Sequence, residues 1–302
     1  MPDRPLQPKL QPFAVPYSSN DDILVNYSRD DTDVTIYIGR CEWPSESRHM
    51  YKPDTLGFDK IYILNLERRP ERRERIEKLL AELKLDYLIF SAVDGRKLNP
   101  EKLDELGVTI LPGYEDMSLK RNMTYGEVGC TLSHYFIWKD MIANNYNRIW
   151  IIEDDASFFP MFRKQFSRAF ADVEEFVPYW DLMFLARKPM EKEPELFVEG
   201  TKYAKWPGFS YWGLSYAITR GGVDKIMKQN PLRKLAPIDE LLPIMYNRHP
   251  MPEWKKLFKK RDLIAVSIHP LLIVPSWWFG ETECISDSEV SETVSTDIKE
   301  CS

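Results

Sequence analysis

Glu153-Asp154-Asp155 places three carboxylates in a row directly after the apolar run Arg148-Ile149-Trp150-Ile151-Ile152. Adjacent negative charges repel one another. A hard divalent cation such as Mn2+ or Mg2+, shared between one or two carboxylates and substrate phosphates, relieves that repulsion. Such a cation would neutralise charge developing on a departing nucleoside diphosphate. In an extended chain Glu153 and Asp155 face one way and Asp154 the other, so spacing alone leaves open which two share the ion. The competing reading is an exposed acidic turn in which Asp155 caps a helix near Ser157.

Other stretches carry groups that suit the same chemistry. Asn65-Leu66-Glu67-Arg68-Arg69-Pro70 follows another apolar run, Lys60–Leu64. Arginine makes bidentate contacts to phosphate, and a helix N-terminus attracts anions. Asn65 and Arg68, at the strand end, are the expected nucleotide contacts, while Arg72, Arg73 and Arg75 read as a solvated helix face paired with Glu. Asp239-Glu240 lies between Pro237 and Pro243 in an apolar stretch. Carboxylates are costly to bury without a task, so the pair is a candidate general base for a hydroxyl; the alternative is a helix N-cap at Asp239. His134 reads as a hydrogen-bonded residue behind the site. Trp277-Trp278-Phe279, Trp206 and Tyr211-Trp212 are candidate platforms for sugar or peptide, or core aromatics.

These residues need a scaffold. Strands are expected at Lys60–Leu64, Tyr87–Phe90, Arg148–Ile152, Asp181–Leu185 and Leu214–Ile218. Helices are expected from Pro70 to about Leu83, from a capping box at Thr124-Tyr125-Gly126-Glu127 to about Ile142, and from Gly221 to about Gln229. Alternating strands and helices predict an α/β domain on a mixed, mostly parallel sheet, with its site at the carboxyl ends of the strands. Residues 1–55 are Pro-rich and read as a linker or arm, broken by one candidate strand at Val34–Ile38. The compact domain is expected over 56–280. Residues 281–302, rich in Ser, Thr, Asp and Glu, are expected to be disordered.

Composition narrows the classes. Of the residues, 43% are hydrophobic and 13% aromatic, which is a globular composition. A net charge of −6 argues against a nucleic-acid partner and would tolerate a basic polypeptide acceptor. The four cysteines, Cys41, Cys130, Cys284 and Cys301, lack C-x-x-C spacing, so zinc-finger and thioredoxin-type readings fail. Sequons at Asn26-Tyr27-Ser28 and Asn122-Met123-Thr124 tilt the compartment toward the secretory pathway. No apolar run reaches the ~18 residues needed to span a bilayer, and the N-terminus has no hydrophobic signal core.

Taken in order, several segments resemble glycosyltransferase family 25, and within it the C-terminal catalytic domain of the procollagen galactosyltransferases. They are Phe58–Leu66 with its Arg-rich continuation, Ala92-Val93-Asp94-Gly95, Leu111-Pro112-Gly113-Tyr114, Gly126–Cys130 through Ser133-His134, Glu153-Asp154-Asp155, Ser210-Tyr211-Trp212, Pro237–Glu240 and Ile285–Glu289. The resemblance implies a GT-A-type, Rossmann-like nucleotide-diphospho-sugar transferase with UDP-galactose as donor and Mn2+ as cofactor. The implied acceptor is collagen hydroxylysine in the lumen of the endoplasmic reticulum, and a homodimer is compatible with it. Carried over by position, Asp154 and Asp155 would hold the metal. Glu153, Asn65 and Arg68 would contact the nucleotide, and Asp239 with Glu240 would serve as base or acceptor contact in an inverting displacement. Whole members carry a signal sequence, a further transferase-like domain and a C-terminal retention tetrapeptide. This sequence ends Glu300-Cys301-Ser302; for work in the endoplasmic reticulum it is expected to be either a fragment or a chain that arrives by a route not written in it. Where relatives have a His-Tyr pair this sequence has Trp277-Trp278, which leaves His269 as a stand-in metal ligand. Two other functions stay open: a homologue with a decayed site acting in adhesion, and a transferase acting on lipopolysaccharide or another glycan.

Overall fold

The structure is a computed structural model. It describes residues 53–279, 287 and 291–294, together with the backbone of Ile23–Arg29 and Thr32–Ile38. The chain divides into two compact units, Met1–Met50 and Tyr51–Ser302. In the first, β1 (Ile23–Arg29) and β2 (Thr32–Ile38) form an antiparallel hairpin in which Ile23 faces Ile38 and Arg29 faces Thr32. The expected linker therefore contains paired strands, and the candidate strand at Val34–Ile38 is one arm of that pair.

The second unit is a three-layer α/β domain. Its strands and helices run in chain order as β3 (Lys60–Asn65), α1 (Pro70–Glu82), β4 (Leu88–Ser91), α2 (Pro100–Leu106), α3 (Tyr125–Ala143), β5 (Arg148–Glu153), β6 (Ala156–Phe158), α4 (Phe162–Phe176) and β7 (Leu182–Pro189). There follow β8 (Ala204–Lys205), β9 (Ser210–Thr219), α5 (Arg220–Met227), α6 (Ile238–Met245), α7 (Pro252–Lys256), β10 (Ala265–Ile268) and β11 (Ile273–Pro275). Seven strands form one sheet in the order β4-β3-β5-β9-β7-β10-β8, and β6 pairs separately with β11.

The sheet is mixed, but it is not mostly parallel. Neighbours are parallel at β3–β4, β3–β5 and β7–β10, and antiparallel at β5–β9, β7–β9 and β8–β10. The reason lies in the short return from β7 through β8 to β9, which lets β9 run back beside β7 without a crossover helix.

Strand β5 shows how the layers form. Ile149 and Ile151 belong to the core shared with α3, α5 and α6, whereas Trp150 and Ile152 belong to the core beneath α1 and α4. Side chains alternate along a strand, so a run buried on both faces feeds two cores. Helix α3 begins as predicted: Thr124 Oγ1 accepts the Glu127 amide while Glu127 accepts the Thr124 amide. Its first turns press on the loop after β4, and a Cβ at Gly129 would lie 2.5 Å from the Val93 carbonyl oxygen. No larger residue fits there without moving backbone.

The acidic tail is partly docked rather than disordered. Val294 is buried, its amide donates to the Met123 carbonyl, and the Tyr125 amide donates to Glu292 O. The Thr293–Thr124 bridge supplies partners for backbone groups just outside the helix start, which composition does not reveal. Among the described residues no helix is long and apolar enough to cross a membrane.

Candidate active site

The alternation that fills two cores also sorts the acidic triplet. Continuing the period of β5, Glu153 turns to the α3 side, where its Oε1 lies 3.5 Å from His134 Nε2. Asp154 turns to the α1 side: Oδ2 accepts from Asn65 Nδ2 at 2.7 Å, and Oδ1 lies 3.5 Å from Arg72 Nη1. Asp155 is followed by β6, not by a helix cap, and Ser276 donates its amide to the Asp155 carbonyl. Helix α4 starts only at Phe162, so the capping alternative for Asp155 does not hold.

All three carboxylates line one cleft at the carboxyl ends of β3 and β5, with Arg68, Arg72 and Asp94. Burial first, and repulsion between neighbours second, push their pKa values up: Glu153 to about 7, Asp154 and Asp155 to about 6. Asp155 Oδ1 is buried without a hydrogen-bond partner among the described residues. A buried carboxylate oxygen left over in this way suits a hard divalent cation, as does the surplus of negative charge. The residues therefore fit Mn2+. Asp155 is the readier ligand, since Asp154 already serves Asn65 and Arg72.

Because β9 runs antiparallel to β5, its first residues arrive at the same edge. Trp212 holds a left-handed φ of +73°, a conformation unusual for a bulky residue. Asp239 stabilises it: Oδ2 accepts the Trp212 amide at 3.1 Å and Oδ1 the Gly213 amide at 2.8 Å. Asp239 is thus in the first turn of α6 but is not its N-cap, which is Pro237. A Cβ added to Gly213 would stand 3.4 Å from both Asp239 Oδ1 and Glu153 Oε1, so these two carboxylates converge on one glycine. Burial first and Glu153 second raise Asp239 to about 7.

The expected site residues separate into groups. Glu153, Asp154, Asp155, Asn65, Arg68 and Asp239 come together. Glu240 does not join them: it is buried, with His249 Nε2 at 2.6 Å from one oxygen and the Tyr211 hydroxyl donating to the other at 3.3 Å. A helix turns about 100° per residue, so neighbours in α6 address different partners. Asn65 is occupied with Asp154 and the Arg69 carbonyl, which makes it a support for the triplet. Arg72 and Arg75 are not a solvated face: Arg72 is buried at the triplet, and Arg75 donates to the Ala156 carbonyl. His269 is corrected outright. It follows β10, three strands from β5, and its amide donates to Tyr203 while its ring meets Phe197. Strands ~4.8 Å apart put such a side chain well beyond reach of a cation on the triplet.

Two features escaped the sequence. Asp287 binds Arg68 Nη1 at 3.0 Å and Arg69 Nε at 2.8 Å, which joins the docked tail to the cleft. Trp277 and Trp278 each lie 6.2 Å edge-on from Trp212, forming a half-exposed aromatic group joined to Asp239 through Trp212 and to Asp155 through Ser276. The candidate platforms were visible in sequence; their meeting required the antiparallel β9.

Residues 58–242 match the family described as glycosyltransferase family 25 (LPS biosynthesis protein). Similar proteins include a glycosyltransferase 25 family member of Aedes aegypti, 43% identical over 241 residues, which cover 80% of this chain and 40% of that one. The inactive glycosyltransferase 25 family member 3 of Homo sapiens is 42% identical over 245 residues, 81% of this chain and 41% of its own. Procollagen galactosyltransferase 2 of Homo sapiens is 41% identical over 251 residues, 81% of this chain and 40% of its own. The chain thus spans about two fifths of the length of these curated relatives. With more than half of its residues inside the family match and an acidic cleft at the carboxyl edge of its sheet, the chain belongs to glycosyltransferase family 25.

Proposed function

We propose that this chain transfers galactose from UDP-galactose to a hydroxylysine of a collagen-type polypeptide, with Mn2+ and inversion at the sugar carbon. The observation that carries the reading is the uncommitted Asp155 oxygen beside Glu153, which lines the same cleft and whose carboxylate meets that of Asp239 across Gly213. Galactose and collagen come from the relative named procollagen galactosyltransferase 2, and the endoplasmic reticulum lumen is proposed with them. When bound by Asp155 and Asp154, Mn2+ would supply positive charge against the leaving diphosphate.

The chain's own residues account for the remaining steps. Arg68 and Arg72 line the cleft and offer guanidinium groups to phosphate oxygens. Glu153, the cleft-facing member of the facing pair, accepts the hydroxyl proton as the acceptor oxygen bonds to the sugar carbon and the bond to UDP breaks. A carboxylate raised to about 7 is matched to a base working near neutrality. Glu153 takes the place of Asp239, the base assigned from sequence: both Asp239 oxygens hold the Trp212–Gly213 bend instead. The group of Trp212, Trp277 and Trp278 offers an apolar face for the acceptor.

The similarity to an inactive family member supports a second reading, a binding module without turnover. Purified chain incubated with Mn2+, UDP-galactose and a hydroxylysine peptide separates the two. Release of UDP and a galactosylated peptide that both vanish in chelator support transfer. Peptide binding with no UDP release in any donor supports the module. Transfer to a lipopolysaccharide glycan in place of the peptide would reassign the acceptor.

A further inference from the structure

A second group of donor atoms lies on the α3 side of the acidic triplet. Cys130 Sγ, His134 Nε2 and a Glu153 carboxylate oxygen all lie within 4.8 Å of one another, the one such grouping of three or more acidic, histidine or cysteine side chains among the described residues. We propose that Cys130, His134 and Glu153 form a binding site for a zinc-like divalent cation, distinct in chemistry from the hard-cation site at Asp155.

The local structure prepares these donors. Cys130 and His134 are four residues apart on α3, so their side chains stand on one face, a turn apart. Cys130 is in no disulfide among the described residues and lines the cleft. His134 is fully buried, and its Nε2 has no hydrogen-bond partner among the described residues. Its other ring nitrogen, Nδ1, lies 2.9 Å from the Tyr216 hydroxyl. A ligating histidine is commonly held this way, its second nitrogen hydrogen-bonded and its first aimed at the ion. With the ring proton on Nδ1, the Nε2 lone pair is free for a metal.

The donor set selects the ion. Thiolate and imidazole favour zinc over manganese, and zinc stands above manganese in general affinity. Donors around tetrahedral zinc sit about 3.3–3.8 Å apart, given bonds of about 2.0–2.3 Å. The His134–Glu153 pair is already at 3.5 Å, and closing the rest needs a movement of about 1 Å. Binding forms a sulfur–zinc bond as the thiol proton leaves to solvent, with no change of oxidation state. Glu153 would then be withdrawn from proton transfer, so this site would oppose the proposed activity rather than serve it.

The test uses the whole chain, stripped with chelator under reducing conditions. Zinc is titrated against a chromophoric chelator, and Co2+ is substituted to read sulfur-to-cobalt charge transfer in the near ultraviolet. Expected results are one zinc per chain, a charge-transfer band, and protection of Cys130 from alkylation by zinc, located by peptide mass spectrometry. Cys130→Ser should abolish the band and weaken zinc at least about tenfold. A cobalt spectrum without sulfur ligation, zinc affinity unchanged in C130S, or protection falling on Cys41, Cys284 or Cys301 overturns the proposal. If C130S does not fold, alkylation protection in the unaltered chain decides. Manganese-dependent UDP release is measured without zinc, so either idea can fail alone.

Discussion

Asp239 accepts the backbone amide of Trp212 at 3.1 Å while Trp212 sits at a φ of +73°. A half-buried carboxylate beneath a strained turn holds in place the Trp212 on which Trp277 and Trp278 pack. Its neighbour across Gly213, Glu153, is the proposed base, so the two should respond differently to loss of charge. Glu153→Gln is expected to lower turnover by about 10²–10⁴-fold while leaving thermal stability equal or higher, since a buried charge is removed. Asp239→Asn keeps only one acceptor oxygen for two amides and should lower stability by about 1–3 kcal/mol as well as turnover. Thermal melts beside UDP-release rates check this; equal melts for both variants would refute the division of roles.

The carboxylates set a pH dependence of stability. In metal-free protein Glu153 and Asp239 are raised to about 7, and Asp154 and Asp155 to about 6. The folded state therefore holds these protons more tightly than the unfolded chain does. The contribution is fully present below about pH 4 and is lost as pH rises through 6 to 7. Mn2+ should consequently raise the melting temperature at pH 7.5 and do little at pH 5. Manganese stabilisation of the same size at both values would contradict the charge argument.

Glu240 is expected to matter for folding more than for turnover. Removing its charge leaves His249 and the Tyr211 hydroxyl without their partner inside a buried network. Glu240→Leu should cost on the order of 3 kcal/mol. Active-site titration at low temperature should find near-normal turnover per folded molecule. A stable but inactive variant would return Glu240 to the catalytic group.

Under the proposed function, Asp287 would compete with phosphate for the guanidinium groups it already binds. Its bonds to Arg69 and Arg68 hold its pKa below the usual range, although burial opposes this. Asp287→Asn should tighten UDP binding several-fold at low ionic strength, with the gain shrinking as salt rises. Calorimetry at two salt concentrations measures this, and weaker binding would mean that Asp287 orders the arginines instead.

Local patterning made much of this molecule readable from its residues alone. The strands at Lys60 and Arg148 are apolar runs, and the start of α3 is a capping box, because these signals act within one turn or one strand. The acidic triplet was legible as a candidate cation site for the same reason: three like charges after a buried strand need relief wherever they lie. Tertiary structure decided which side each carboxylate takes, since that depends on the two cores Ile149–Ile152 feed. It gave Asn65 to Asp154, Glu240 to His249 and Asp287 to the arginines, and it removed His269 to a distant strand. These partners lie 9 to 219 residues apart in the chain. Contacts at such separations arise only when the whole sheet is assembled, and the direction of β9 that brings Trp212 and Gly213 to the cleft is set by chain connectivity, which no local window of sequence contains.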